Sequence, residues 1–231
     1  MKKTLICIST FVLSISFIIS MIYISRMFDS VSAQEKTKVV LDAGHGGYDS
    51  GCISSTGVYE KDITLSVTML VGAYLEDAGY DVVYTRTSDE VSWPDDVSQD
   101  LKERVNIATL AQGDVFVSIH LNSSDEQDGA FGIEAYYNGV DTHMESLAQS
   151  ILNELDTLEY SDDRGVKSTF NNPLYIIDQN NIPAVLIELG FLSDHEDAAY
   201  LSDTQNQQKI AEKIANAIMK YDDNEISGIN D

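Results

Sequence analysis

Four side chains in this sequence combine chemical capability with an unusual setting. His45 lies in "VVLDAGHGGYDSG", residues 39–51, among Gly44, Gly46, Gly47 and Gly51. Glu60 falls in "YEKD", His120 ends the apolar run "VFVSIH", and Glu188 is embedded in "AVLIELGF". Glycine packs no side chain and costs entropy on folding. Four of them so close together point to a backbone that turns tightly or lets something come near. Two imidazoles and a carboxylate, with one coordination place left open, form the usual ligand set of a catalytic zinc ion. A further carboxylate that stays off the metal can act as base toward water.

Each residue also has a plainer reading. A lone histidine at a strand end is commonly a hydrogen-bonded turn residue. Glu60 suits the start of a helix, where the dipole favours negative charge. Cys52 is near enough to His45 to rival it as a ligand, although free cysteine usually packs as a small hydrophobe. Glu188 is the least ordinary. Its apolar neighbours imply burial, and a buried carboxylate needs a metal, a proton or a cation such as Arg86 or Arg164. The residues alone leave open which glutamate binds metal.

The elements around them must bring these groups together. "KVVLD", "DVVYTR", "VFVSIHLN", "GIEAYY", "PLYII" and "AVLIELGF" read as strands. Ile63, Val67, Leu70, Val71, Tyr74 and Leu75 share one helical face, with Gly79 as its stop. Helices are also predicted over residues 100–112, 142–158 and about 204–221. Strands alternating with helices imply an α/β domain: a mostly parallel, twisted sheet with helices on both faces. In such a sheet, ligands bind beyond the carboxyl ends of the strands. His45, His120 and Glu188 all sit at such ends.

Composition narrows the partners. The chain has 231 residues and a formal net charge of −24, which argues against nucleic acid or an anionic membrane surface. "MKKTLICISTFVLSISFIISMIYISR" has two lysines, an uncharged run over residues 4–25 and a closing arginine. It reads as a secretory signal or a retained membrane anchor, and "SVSAQ" offers a cleavage site before Gln34. The expected organisation is a signal or anchor with a short linker over residues 1–33, a catalytic domain over 34–224 and an acidic, fraying tail over 225–231. Of the two cysteines, Cys7 lies in the apolar run, so Cys52 has no disulfide partner in the exported part. No internal repeat or low-complexity tract is visible.

"VVLDAGHGGYDSG", "YEKD", "YTRTSDE", "VFVSIHLN", "DRGVK" and "PAVLIELGFLSDHEDAAYL" stand in the order and spacing of the zinc-dependent N-acetylmuramoyl-L-alanine amidases, the amidase-3 family. The sequence resembles that family over roughly residues 38–221. The resemblance implies one zinc ion held by His45, Glu60 and His120, with Glu188 as catalytic base. It also implies hydrolysis, outside the cytoplasm, of the amide joining muramic acid to L-alanine in peptidoglycan. Three departures stand out. Asp178 occupies a place where many relatives carry arginine. Only "NGVDTH" separates the "GIEAYY" strand from the next helix, so the inhibitory helical insertion of some relatives is not expected. Wall-binding repeats are not seen, which leaves localisation to residues 4–25 or to a basic localising or activating partner protein. The layout is similar to that of germination-related amidases. Two other classes compete: a zinc peptidase cutting within the stem peptide, separable by its products, and a metal-free wall-binding module, separable by metal content.

Overall fold

A computed structural model describes residues 20–21, 36–124, 129–139 and 141–222. The predicted cleavage site and acidic tail, and the apolar segment 4–25 apart from residues 20 and 21, lie outside the described residues. Among the described residues no helix is long and apolar enough to cross a membrane.

Six strands form one sheet: β1 Lys38–Ala43, β2 Asp81–Tyr84, β3 Val115–Asn122, β4 Ile133–Tyr137, β5 Asp163–Ser168 and β6 Ala184–Phe191, in the spatial order β2-β1-β3-β6-β4-β5. β2, β1, β3 and β6 run parallel. β4 is antiparallel to β6, and β5 follows β4 in parallel. The mostly parallel sheet expected from sequence is therefore present, with two strands reversed at one side.

The strands alternate across the sheet because successive side chains point to opposite faces. Val39, Leu41, Val117, Ile119, Val185 and Ile187 enter the larger core. Over it pack the apolar faces of α1 Glu60–Asp77, α3 Thr142–Asp156 and α6 Thr204–Tyr221. The opposite residues, Val40, Phe116, Ala184 and Leu186, meet Val105 and Ala108 of α2 Val97–Ala111 and Ile176 and Ile177 of α4 Tyr175–Asp178. This second layer is thinner. His120 and Glu188 share its parity, so they emerge at the carboxyl end of the sheet on the side with less cover. α5, His195–Leu201, follows β6.

Much of the acidity goes into local structure. Asp96, Asp141, Asp194 and Asp203 cap α2, α3, α5 and α6, each accepting from backbone N–H groups of the first turn. A cap of this kind is worth about 1 kcal/mol.

The structure corrects one strand and adds two elements. "PLYII" is not a strand: its last residues form the helical turn α4. Short apolar runs carry no decisive period. Here Ile176 and Ile177 are both buried, as a helix permits and strand alternation does not. The Asp178 carboxylate closes the turn by accepting from Leu174 N at 2.7 Å and Thr169 Oγ1 at 2.8 Å. β5 was not expected because its sequence is polar, as befits an edge strand, and α5 is only one short segment.

Candidate metal centre and active site

β1 delivers its chain to the sheet edge and the backbone then reverses. His45 itself has φ 61°, a left-handed conformation that a non-glycine residue adopts at a cost and that recurs at functional sites. The surrounding glycines answer to close approach. A Cβ on Gly44 would lie 2.4–2.6 Å from the His120 ring. On Gly51, at φ 62°, it would meet Glu60 Oε2 at 2.5 Å and His45 Cδ2 at 2.8 Å.

Two buried arginines hold this loop by its carbonyls. Arg86 donates to Ala43 O and Gly44 O, both at 2.9 Å, and to Lys61 O at 2.8 Å. Arg104 donates to Ala43 O at 2.7 Å and His45 O at 2.6 Å. Its charge is met by Asp42 at 2.8 Å and Asp100 at 2.6 Å, and its guanidinium lies 5.1 Å from the Trp93 ring centre.

α1 begins at Glu60, which places its carboxylate at the same edge. His45 Nε2 lies 3.0 Å from Glu60 Oε1, and His120 Nδ1 lies 3.2 Å from the same oxygen. The two rings meet edge to face, with centres 4.9 Å apart. Ligand atoms of His45, Glu60 and His120 all lie within 4.8 Å of one another. Ligands about 2.1 Å from a tetrahedral zinc ion would stand about 3.4 Å apart, so the donor set and its spacing fit such an ion. Outer contacts hold these side chains in place. His45 Nδ1 lies 2.7 Å from Asp49 Oδ2. Glu60 accepts from Leu121 N and Cys52 N, both at 2.9 Å. Burial would lower the His45 pKa, but Glu60 and Asp49 outweigh it and push it up to about 9. Burial opposes ionisation of Glu60, yet the two histidines hold its carboxyl far below the usual range.

Glu188 is the Cα partner of His120 in the β3–β6 ladder. Its Oε2 is shielded from solvent and has no hydrogen-bond partner among the described residues. Leaving such an atom unsatisfied costs about 1–3 kcal/mol, more if charged, so a native protein keeps it for a reason. Burial pushes the Glu188 pKa up to about 7, with His120 pulling it down and Glu60 and Glu134 pushing it up. A carboxyl poised near neutrality can take up and return a proton. Neither arginine considered as its partner fills that role. Arg86 is spent on carbonyls, and Arg164 pairs with Glu134 at 2.8 Å.

A cavity of about 240 Å³ opens beside the histidines. Val97, Leu101, Leu174, Ile176 and Leu186 give it an apolar wall.

The structure thus brings together His45, Glu60 and His120, with Glu188 beside His120 in the sheet. Cys52 stays outside the cluster: its sulfur packs toward Leu121 O and Asn122 O, and burial raises its pKa further. Asp49, Arg104 and Glu134 were not singled out by sequence. Asp49 had a signal, an acid four residues beyond a histidine in a glycine-rich turn. The roles of Arg104 and Glu134 depend on distant strands.

Comparison with known proteins covers the same domain. Residues 39–220 match the family described as N-acetylmuramoyl-L-alanine amidase, amidase-3. The chain belongs to the amidase-3 family. It is accordingly an N-acetylmuramoyl-L-alanine amidase that acts on peptidoglycan, and so works outside the cytoplasm. It is 39% identical over 193 residues to the Bacillus subtilis protein YqiI, covering 82% of this chain and 86% of that one. It is 32% identical over 190 residues to the germination-specific N-acetylmuramoyl-L-alanine amidase of Bacillus subtilis, covering 79% and 78%. Among solved structures it is similar to the CwlD amidase of Clostridioides difficile in complex with the GerS lipoprotein. The TM-score is 0.74 at 33% identity, covering 80% of this chain and 98% of that one.

Proposed function

We propose that this amidase is a one-zinc enzyme in which His45, Glu60 and His120 hold the metal and Glu188 is the general base. The bond cut is the amide between the lactyl group of N-acetylmuramic acid and L-alanine. The unpartnered, buried Oε2 of Glu188 next to a preformed His-Glu-His cluster carries this reading. Zinc, when bound, supplies Lewis acidity that makes water a stronger acid and polarises a carbonyl. Glu188 Oε2 accepts the proton of the attacking water and returns it to the alanine nitrogen as the amide breaks. Asp49 fixes the His45 ring through Nδ1 and leaves Nε2 to the metal. Arg86 and Arg104 keep the His45 carbonyl loop from shifting as substrate arrives.

Export follows from residues 1–33, with segment 4–25 serving as signal or anchor, and residues 34–224 form the catalytic domain with 225–231 as a tail. A net charge of −24 favours a basic partner for localisation or activation. The related CwlD amidase crystallised with a lipoprotein supports the idea of a protein partner. The experiment is mass spectrometry of products from a defined muropeptide. The reading requires an intact stem peptide beginning at L-alanine. Products cut within the stem would replace it with the peptidase reading.

A further inference from the structure

The "DRGVK" segment forms β5 and takes no part in the chemistry above, yet its two cations stand close to it. Glu134 on β4 is the Cα partner of Glu188 on β6, so the two carboxylates share one face of the sheet. Glu134 is 2% exposed and is bound by Arg164 Nε at 2.8 Å and by Lys167 Nζ. Tyr136 Oη donates to it at 2.6 Å and Asn122 Nδ2 at 2.8 Å. Glu134 therefore gathers two cations beside the Glu188 carboxylate, in a strongly acidic protein. Arg164 and Lys167 remain 37% and 36% exposed. The other cations near the site are committed: Arg86 and Arg104 are buried on loop carbonyls, and Lys61 pairs with Asp89 at 2.8 Å.

We propose that Lys167, supported by Arg164, is the subsite for a carboxylate of the stem peptide, and that the peptide side of the substrate lies over β4 and β5. This rests on the amidase reading above. The substrate's own charge is placed to match. With its lactyl carboxyl tied up in the amide, the sugar side is neutral, while the stem peptide carries carboxylates. Two strand spacings separate β6 from β5, about 10 Å. An extended peptide covers about 3.3–3.6 Å per residue, so a carboxylate within about three residues of the cut reaches the cations. The neutral sugar side then lies away from β5, toward the cavity whose apolar wall comes from Val97 and Leu101 of α2, from Leu174 and Ile176 at α4 and from Leu186 of β6. Glu134 acts as a positioning residue that gathers both cations and keeps them from folding back onto Glu188.

The test uses two muropeptides that differ only in the residue after alanine, one with a free carboxylate and one with that carboxylate amidated. Their kcat/KM ratio is measured for the full-length protein and for Lys167→Gln, Arg164→Gln and Lys167→Arg. We expect the parent enzyme to favour the free acid by about tenfold, as a charge-assisted hydrogen bond carries. Lys167→Gln should bring the ratio near one, mainly through KM, and Lys167→Arg should largely restore it. A parent ratio near one, or a ratio that survives both Lys167→Gln and Arg164→Gln, overturns the subsite while leaving the amidase reading intact. If neither substrate yields a peptide beginning at alanine, the amidase reading fails and the subsite falls with it.

Discussion

His45 Nδ1 lies 2.7 Å from Asp49 Oδ2, so the ring turns its other nitrogen toward Glu60. A partner of this sort fixes the orientation of an imidazole ligand and raises its basicity. Asp49→Ala is expected to weaken zinc binding about 10- to 100-fold while leaving the fold in place. Competition with a chelator of known affinity checks this. Unchanged affinity would mean that Asp49 only shapes the turn.

Arg104 is expected to matter mainly for stability. It is 3% exposed and bridges Asp42, Asp100 and two loop carbonyls. Arg104→Met leaves two buried carboxylates without their cation, a loss of roughly 3–5 kcal/mol. Urea unfolding of the parent and the variant measures it. A loss below about 1 kcal/mol would show that water reaches the network.

Acid should expose the same network. Burial would raise the Asp42 pKa, but Arg104 and the hydroxyls of Ser118 and Thr85 outweigh it and hold the carboxyl below its ordinary value. A group with a lower pKa in the folded state binds its proton more readily when unfolded. The stability it lends is then complete above about pH 4 and is lost as pH falls further. Stability measured from pH 6 to pH 2 should drop most steeply below pH 4, and Asp42→Asn should flatten that drop. A drop of equal steepness in the variant would assign acid unfolding to other groups.

Gly51 tests the close approach around the cluster. A Cβ there meets Glu60 and His45 at 2.5 and 2.8 Å and also strains a backbone at φ 62°. Gly51→Ala is expected to lose zinc and most activity, whereas Gly57→Ala, with φ 85° but open space around it, should retain zinc. Metal analysis of the two purified variants decides this. Full zinc in Gly51→Ala would show that the loop gives way easily.

What could be read from the sequence tracks how local each cause is. The strands ending at Ala43, at Asn122 and at Phe191 announce themselves by apolar runs, and the α1 face by its spacing. The sequence therefore places His45, His120 and Glu188 at one sheet edge. β5 escaped notice because an edge strand of Asp163, Arg164 and Lys167 has no apolar signature. Tyr175–Asp178 misled because Ile176 and Ile177 suit either a strand or a helical turn. Asp49, Arg104 and Glu134 gain their roles from partners on other elements, which periodicity does not reveal. The assignment of the metal to Glu60 and not Glu188 comes from the family resemblance; spacing leaves it open.

The division of labour between Glu60 and Glu188 is the centre of this account, and Glu188→Gln tests it most directly. Zinc content and turnover on a muropeptide should be measured on one preparation of this variant. One zinc ion per chain is expected, as in the parent, with turnover reduced about 10²- to 10⁴-fold, the usual contribution of a general base. A variant that comes out free of zinc, or one that turns over like the parent, would contradict it.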